Sequence, residues 1–145
     1  MRFATVLLLV LAMGLSACGR RHTAEDGAGW IFEHGTDWLV DALEEQDATD
    51  EQIAAAEAVI EQHQADVTAA LTTLLKQHRE MVLGLASGGD AAALLALEEP
   101  LRTAHVASLE SIGTMHQEVG SAVGDETWQA ATAYMNERLA RRMRD

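Results

Sequence analysis

The apolar positions of this chain recur every three or four residues, the spacing that marks one face of an α-helix. A first stripe predicts a helix from about Asp50 to Leu85, with Ile53, Ala56, Ile60, Val67, Leu71, Leu74, Met81 (or Val82) and Leu85 on one face. A second predicts a helix from Ala91 to about Gly120, with Leu94, Leu97, Leu101, Leu109, Ile112 and Val119 on one face. Because a short segment joins them, we expect a long antiparallel helical hairpin.

Shorter amphipathic segments flank this hairpin. One spans Trp30 to Glu45, and the other begins at Asp125 and carries Trp128, Ala131, Met135 and Leu139 on one stripe. A single proline and 4% aromatic residues argue against a β-sandwich. The predicted fold is therefore all-α: a short helix, the long hairpin and a C-terminal helix.

The predicted helix starts carry capping signals. Thr49 and Gln52 have the spacing of a capping box, in which the threonine oxygen accepts from the N3 amide and the glutamine reaches back. Asp90 can cap the second hairpin helix. Asp125 and Glu126 place negative charge in the first turn of the last helix, where the helix dipole favours it.

Other residues predict where helices end or bend. The segment Ser87-Gly88-Gly89 ends the first hairpin helix, since glycine adopts the left-handed conformation of a helix C-terminus. Pro100 lies inside the second stripe and predicts a kink or a restart. The segment 120–124 predicts a weak break before the last helix.

The N-terminus is predicted to be a lipoprotein signal peptide covering residues 1–17. The apolar run from Ala4 to Leu15 is too short to span a bilayer. The sequence Leu15-Ser16-Ala17-Cys18 resembles the bacterial lipobox, whose cysteine is lipidated and becomes the mature N-terminus. The alternative is a secretory signal with a cysteine here by chance. In the lipoproteins that this segment resembles, an aspartate after the cysteine favours retention in the inner membrane, so Gly19 implies attachment to the outer membrane, facing the periplasm.

The polar, glycine-bearing stretch 18–29 is predicted to be a flexible tether, and 30–145 the helical domain. A chain of 145 residues predicts one domain. A first hairpin helix of about 36 residues would be roughly 54 Å long, which is long for this mass. We therefore expect part of its stripe to be buried against a second copy in a homodimer.

Composition excludes several functions. A net charge of −13 argues against nucleic acid as a partner, because phosphate binding needs clustered lysine and arginine. One cysteine excludes a disulfide framework. No nucleophile elbow and no glycine-rich phosphate loop occur, so we do not expect an enzyme.

Two short segments carry a resemblance to a known family. Asp47-Ala48-Thr49-Asp50-Glu51-Gln52 resembles the LTxxQ motif of the Spy/CpxP family of periplasmic proteins, with alanine in place of leucine. A second such motif usually opens the last helix of that family. Val123-Gly124-Asp125-Glu126-Thr127 stands at that place, with Gly124 for threonine and Thr127 for glutamine.

This resemblance implies a curved, all-helical and often dimeric cradle. Family members act as ATP-independent chaperones, as envelope-stress regulators or as metal-responsive proteins. This chain departs from them in two ways: it is far more acidic than the well-known cradle chaperones, and it has no histidine-rich or methionine-rich tail.

Aromatic residues of the first helix are the candidate client-binding residues. Trp30, Phe32 and Trp38 make one edge of this helix apolar. One interpretation is that they line a surface for unfolded proteins or a partner domain. The alternative is that they attach the helix to the hairpin as part of the core.

Four histidines are predicted to face the inside of the hairpin: His63, His78, His105 and His116. A turn near residue 88 sets His116 opposite residue 60, about one turn from His63, and sets His78 opposite Glu98. His63 and His116 are therefore candidate ligands for zinc or copper, with Met115 or Glu118 nearby. The alternatives are core histidines bonded to their neighbours, or a response to pH.

These observations lead to one expected function and two alternatives. The expected function is nucleotide-independent binding of unfolded proteins, or of a stress-sensor domain, on the concave helical surface of a lipid-anchored periplasmic protein. The alternatives are a metal sensor or buffer that uses the inward histidines, and a purely structural helical lipoprotein.

Overall fold

The computed structural model describes residues 23–144, and within them the chain forms four helices and no strand. We number them α1 (Ala24–Glu44), α2 (Asp50–Ala86), α3 (Ala91–Val123) and α4 (Asp125–Arg142). The predicted all-α class and the predicted order of helices are confirmed. The predicted signal peptide, Cys18 and the start of the predicted tether lie outside the described residues.

Helix α1 begins at Ala24, earlier than the predicted start at Trp30. Its first turn is closed by a reciprocal pair: the Thr23 N–H donates to Asp26 Oδ2 over 3.0 Å, and the Asp26 N–H donates to Thr23 Oγ1 over 3.1 Å. This arrangement satisfies two amide groups that a helix N-terminus otherwise leaves unpaired. The predicted tether boundary at residue 29 was therefore wrong, because a cap at Thr23 outweighs the glycines that follow it.

Helices α1 and α2 end in the same hydrogen-bond pattern. The Ala48 N–H donates to the Leu43 carbonyl, and the Gly89 N–H donates to the Gly84 carbonyl. The residue before each donor has a positive φ, 58° at Asp47 and 71° at Gly88. Both ends are thus Schellman motifs, one built on glycine as predicted and one on aspartate.

Helix α3 runs without interruption through Pro100 and continues to Val123, beyond its predicted end near Gly120. Of the predicted kink or restart at Pro100, the restart does not occur, and the kink stays a prediction. The break before α4 is confined to Gly124, whose φ of 87° suits glycine. Asp125 and Glu126 form the acidic first turn of α4, as predicted.

The described residues pack as two compact units. The hairpin unit comprises residues 23–31 and 66–111, and the junction unit comprises residues 32–65 and 112–144. Helices α1, α2 and α3 each contribute a segment to both units, whereas α4 belongs to the junction unit alone.

The junction unit holds most of the buried apolar side chains. Its core consists of Phe32, Leu39, Ala42, Leu43, Ala56, Ile60, Met115, Val119, Val123, Ala131 and Met135. Ala56 and Ile60 belong to the predicted stripe of α2, and Val119 to that of α3. The buried face of α3 in this unit advances in steps of four, through Met115, Val119 and Val123.

The hairpin unit has a smaller core, made of Ala28, Val67, Leu71, Leu74 and Ala104 with the buried hydroxyl residue Ser108. Gly27 permits α1 to approach α2 in this unit, because a Cβ at this position would lie 3.2 Å from Leu75 Cδ1. Lys76 of α2 forms an ion pair with Glu25 of α1 over 2.6 Å. No residue from 75 to 103 is buried, so this core does not reach the hairpin turn.

Candidate functional site

The end of the hairpin, Met81–Leu97, carries more exposed large apolar side chains than any other segment of the chain that the structure describes. We call this segment the hairpin end. It carries four of the seven large apolar side chains that are markedly exposed among residues 23–144: Val82, Leu83, Leu85 and Leu95. Their exposed fractions run from 47% to 66%. Single exposed apolar residues are ordinary, whereas a cluster of them is a candidate binding surface.

Gly84 sets the orientation of these side chains. A Cβ at position 84 would lie 3.2 Å from Leu94 Cδ2 and 3.3 Å from Leu97 Cδ1, so this face of α2 lies directly against α3. Each residue on a helix is rotated by about 100° from the next. Val82, Leu83 and Leu85 therefore point away from α3, and nothing among the described residues buries them.

The turn between the two helices needs no bulky side chain. Gly88 supplies the left-handed residue, and the Ala93 N–H donates to Asp90 Oδ1 over 2.7 Å, which confirms Asp90 as the cap of α3. Asp90 is the only charged residue of the hairpin end. The local sequence thus satisfies the backbone with a single charged residue inside the segment.

The sequence predicted that Met81 (or Val82), Leu85, Leu94 and Leu97 lie on the apolar stripes of the hairpin helices, and that part of the α2 stripe is buried against a second copy. In the structure none of them is buried, and Leu85 is 59% exposed. Periodicity identifies an apolar face but not whether another element covers it. A signal was present in the sequence, because Met81–Leu97 is long, apolar and almost uncharged, without the polar positions that define an amphipathic face.

The candidate aromatic residues separate into two groups. Phe32 is 6% exposed and belongs to the junction-unit core, as the structural alternative proposed. Trp38 is half-buried, and the Arg138 guanidinium carbon lies 6.0 Å from its ring centroid. Trp30, in the hairpin unit, is 47% exposed and is the one of the three that offers substantial surface.

The two candidate metal ligands, His63 and His116, contact different groups of the junction unit. His63 Nε2 lies 2.9 Å from Glu118 Oε2, and its side chain is 13% exposed. The His116 ring packs edge-on against Trp128, with centroids 5.8 Å apart and planes at 71°. No group of three or more histidine, cysteine, aspartate or glutamate residues within 23–144 is placed to hold a metal ion. Zinc or copper binding stays a prediction.

Gly120 explains how the indole of Trp128 reaches α3 beside His116. A Cβ at position 120 would lie 3.0 Å from three atoms of the Trp128 ring. His116 lies one helical turn earlier in α3, is half-buried, and contacts the Trp128 ring edge-on. Burial lowers the pKa of the His116 imidazole, because the charged form loses its hydration.

The other two hairpin histidines, His78 and His105, are both half-buried. His78 and Glu98, which the sequence set opposite each other, form no ion pair among residues 23–144, and His78 Nδ1 is buried without a hydrogen-bond partner. The position of the hairpin turn predicts which parts of α2 and α3 face each other. It does not predict which side chain of the facing helix a given residue contacts.

The motif residues Thr49 and Gln52 form the predicted capping box. The Thr49 N–H donates to Gln52 Oε1 over 2.9 Å, and the Gln52 N–H donates to Thr49 Oγ1 over 3.2 Å. Gln52 Nε2 also donates to the Val123 carbonyl and to Thr127 Oγ1. One carboxamide thus caps α2 and ties it to the α3–α4 junction, a second role that the sequence did not indicate.

Asp125 and Glu126, the other predicted motif residues, are exposed and contribute charge to the first turn of α4. Gly124 occupies the cap position, and no side chain caps this helix. Within residues 23–144, no helix is long and apolar enough to cross a membrane. No protein-family model matches this chain, and no curated protein or solved structure matches it significantly.

Proposed function

We propose that this chain is a lipid-anchored periplasmic protein that binds unfolded segments of other proteins at its hairpin end, without nucleotide. The observation that carries the proposal is the exposure of Val82, Leu83, Leu85 and Leu95 on a segment with one charged residue. A chaperone of this kind must expose apolar surface while the rest of its chain stays folded. The capped helices and the junction-unit core supply that stability.

The N-terminal sequence and the motif resemblance support the rest of the proposal. Cys18 after a short apolar run would attach the chain to a bilayer, and several acyl chains on one residue give stable anchoring. The resemblance to the Spy/CpxP family adds an expectation of ATP-independent binding. The homodimer is part of the same proposal, and the sedimentation coefficient of the mature chain at micromolar concentration tests it.

Suppression of client aggregation tests the proposed function. The mature chain from position 18, with Cys18→Ser so that no acyl chain competes, receives a denatured client diluted without ATP, and light scattering is followed. We expect suppression near stoichiometric ratios. No suppression by a chain whose helices are verified by circular dichroism would overturn the proposal.

A matched pair of double variants locates the binding surface. Leu85→Gln with Leu95→Gln removes two leucines that are 59% and 66% exposed at the hairpin end. Val106→Gln with Met143→Gln removes two side chains that are 42% and 60% exposed elsewhere. We expect the first pair to weaken suppression several-fold and the second to leave it unchanged. Equal effects would place the surface elsewhere.

A further inference from the structure

The hairpin end is bordered by acidic side chains. Glu80 precedes it, Asp90 lies at its turn, and Glu98 and Glu99 follow it; all four are exposed. The nearest basic residues are Arg79 and Arg102. The apolar surface of this segment is therefore flanked by more negative than positive charge.

Two of these four acids already have structural partners. Glu99 accepts from Arg102, whose Nε lies 2.9 Å from Glu99 Oε2, and this contact lowers the pKa of the Glu99 carboxyl. Asp90 accepts from the Ala93 N–H as the cap of α3. Glu80 and Glu98 form no ion pair among residues 23–144, although the charge of Glu98 adds to the larger effect of Glu99 in raising the pKa of Arg102. These two carboxylates border the apolar surface on α2 and on α3.

We propose that the segments bound at the hairpin end carry lysine or arginine beside their apolar residues, and that Glu80 and Glu98 select them. This inference rests on the proposed function and names its client class. An ammonium or guanidinium group beside a bound apolar segment would meet a carboxylate at the edge of a surface that excludes water, where the attraction is screened less than in bulk. The net charge of −13 also accelerates encounter with cationic chains.

The same charges disfavour the other occupants of this surface. A second copy docked at the hairpin end would bring its own Glu80, Asp90 and Glu98 to the contact, and like charges oppose that pairing, so the proposed homodimer would use another surface. A bilayer surface is bound by helices rich in lysine, arginine and aromatic residues, and Met81–Leu97 contains none of these. A cationic, apolar and unfolded polypeptide is the occupant that fits both the leucines and the acids.

Peptides with one apolar core and different flanks test the inference. Two labelled peptides share a central leucine–valine segment and carry either lysines or glutamates at both ends, and fluorescence anisotropy measures their Kd for the mature Cys18→Ser chain. This chain retains all of residues 23–144, and circular dichroism verifies its helices. We expect the lysine-flanked peptide to bind about tenfold more tightly at low salt, with the ratio falling as ionic strength rises.

Charge-neutralising variants then locate the selection. Glu80→Gln with Glu98→Gln is expected to weaken binding of the lysine-flanked peptide about 1.5- to 5-fold per charge removed. Glu57→Gln with Glu61→Gln removes two exposed acids of the junction unit and serves as the control. Asp90 and Glu99 stay unchanged because each holds local structure.

Each outcome has a distinct meaning. Equal affinity for the two peptides would overturn the charge selection and leave the proposed function standing. Binding of neither peptide would overturn the proposed function. A lysine preference that both pairs of variants weaken equally would assign selection to net charge and overturn the roles of Glu80 and Glu98.

Discussion

The junction unit and the hairpin unit use the same long helices in opposite ways. In the junction unit, α2 and α3 bury side chains together with α1 and α4, and the Trp128 indole of α4 packs against α3 at Gly120. In the hairpin unit burial stops at Leu74 on α2 and begins at Ala104 on α3, and the leucines between them face outward. The apolar face of a helix therefore becomes part of a core only where another helix covers that face.

Truncating one leucine in each unit is expected to give the largest difference in the free energy of unfolding between the two units. Leu39→Ala removes a side chain that is 1% exposed in the junction unit, and we expect the free energy of unfolding to fall by about 2–5 kcal/mol. Leu95→Ala at the hairpin end removes one that is 66% exposed, and the expected change is within about 0.5 kcal/mol. Urea denaturation measures both. A large cost for Leu95→Ala would mean that the hairpin end is covered in solution.

Gln52 tests the tie that closes the junction unit. In Gln52→Glu the carboxylate still accepts from the Thr49 N–H, but it cannot donate to the Val123 carbonyl and repels that oxygen. We expect a loss of about 2 kcal/mol, because a partly buried acceptor is left unsatisfied. Thr49→Ala is the control, which loses only the cap, worth about 1 kcal/mol.

The pH dependence of Gln52→Glu separates the two roles of this residue. Below about pH 4 the introduced carboxyl gains a proton and can donate again, so the destabilisation relative to wild type should shrink. A difference that does not vary with pH would show that Val123 and Thr127 contribute little to the stabilising effect of Gln52.

These two residues also show what sequence can predict. The Thr49–Gln52 box, the Asp90 cap and the ends of α2 depend on neighbours three or four positions away, and local pattern predicted them closely. The hydrogen bond from Gln52 to Thr127 joins positions 75 residues apart, and the spacing of the LTxxQ-like motif does not predict it. Long-range contacts of this kind need the fold itself.

For the candidate site residues, too, the sequence predicted local features but not which side chains are exposed. Trp30 and Phe32 lie two positions apart and looked equivalent in sequence, yet one is 47% and the other 6% exposed. The steps of four, three and four through Phe32, Thr36, Leu39 and Leu43 set which one faces the core. The exposure of the hairpin end was not predictable from periodicity, because the stripe continues past the last element that covers it.

His116 gives the junction unit a pH dependence that the hairpin end does not share. Burial lowers the pKa of His116 in the folded chain, whereas the unfolded chain takes up this proton near its ordinary value of about 6.5. The unfolded state therefore binds more protons, and the free energy of unfolding falls as pH drops below about 6.5 until the folded histidine also protonates.

Thermal unfolding between pH 7.5 and pH 5 measures this effect. His116→Gln should flatten the decrease of Tm toward acid, and His34→Gln, at an exposed position of the same unit, should retain it. An unchanged pH profile in His116→Gln would show that the burial of His116 contributes little to the acid sensitivity of the fold.

The two Schellman ends give the smallest and most closely matched test. Asp47 and Gly88 occupy the same left-handed position at the ends of α1 and α2, with φ of 58° and 71°. A side chain at this position costs energy that glycine avoids, although aspartate tolerates it better than most residues. Asp47→Gly should therefore raise the free energy of unfolding by about 0.5 kcal/mol, and Gly88→Ala should lower it by about 1 kcal/mol.

The effect of Gly88→Ala also tests whether the hairpin end unfolds independently of the junction unit. The Gly88 end closes a turn that no buried side chain supports, so its backbone conformation depends on local hydrogen bonds such as that from the Gly89 N–H to the Gly84 carbonyl. If the hairpin end opens independently, Gly88→Ala should speed amide hydrogen exchange around residues 81–97 and leave the junction unit unchanged. In Asp47→Gly, slower amide exchange confined to the C-terminal end of α1 would likewise show that the junction unit and the hairpin end open independently. Uniform changes across both units in either variant would mean that the two units unfold together, and that exposure at the hairpin end does not weaken its local stability.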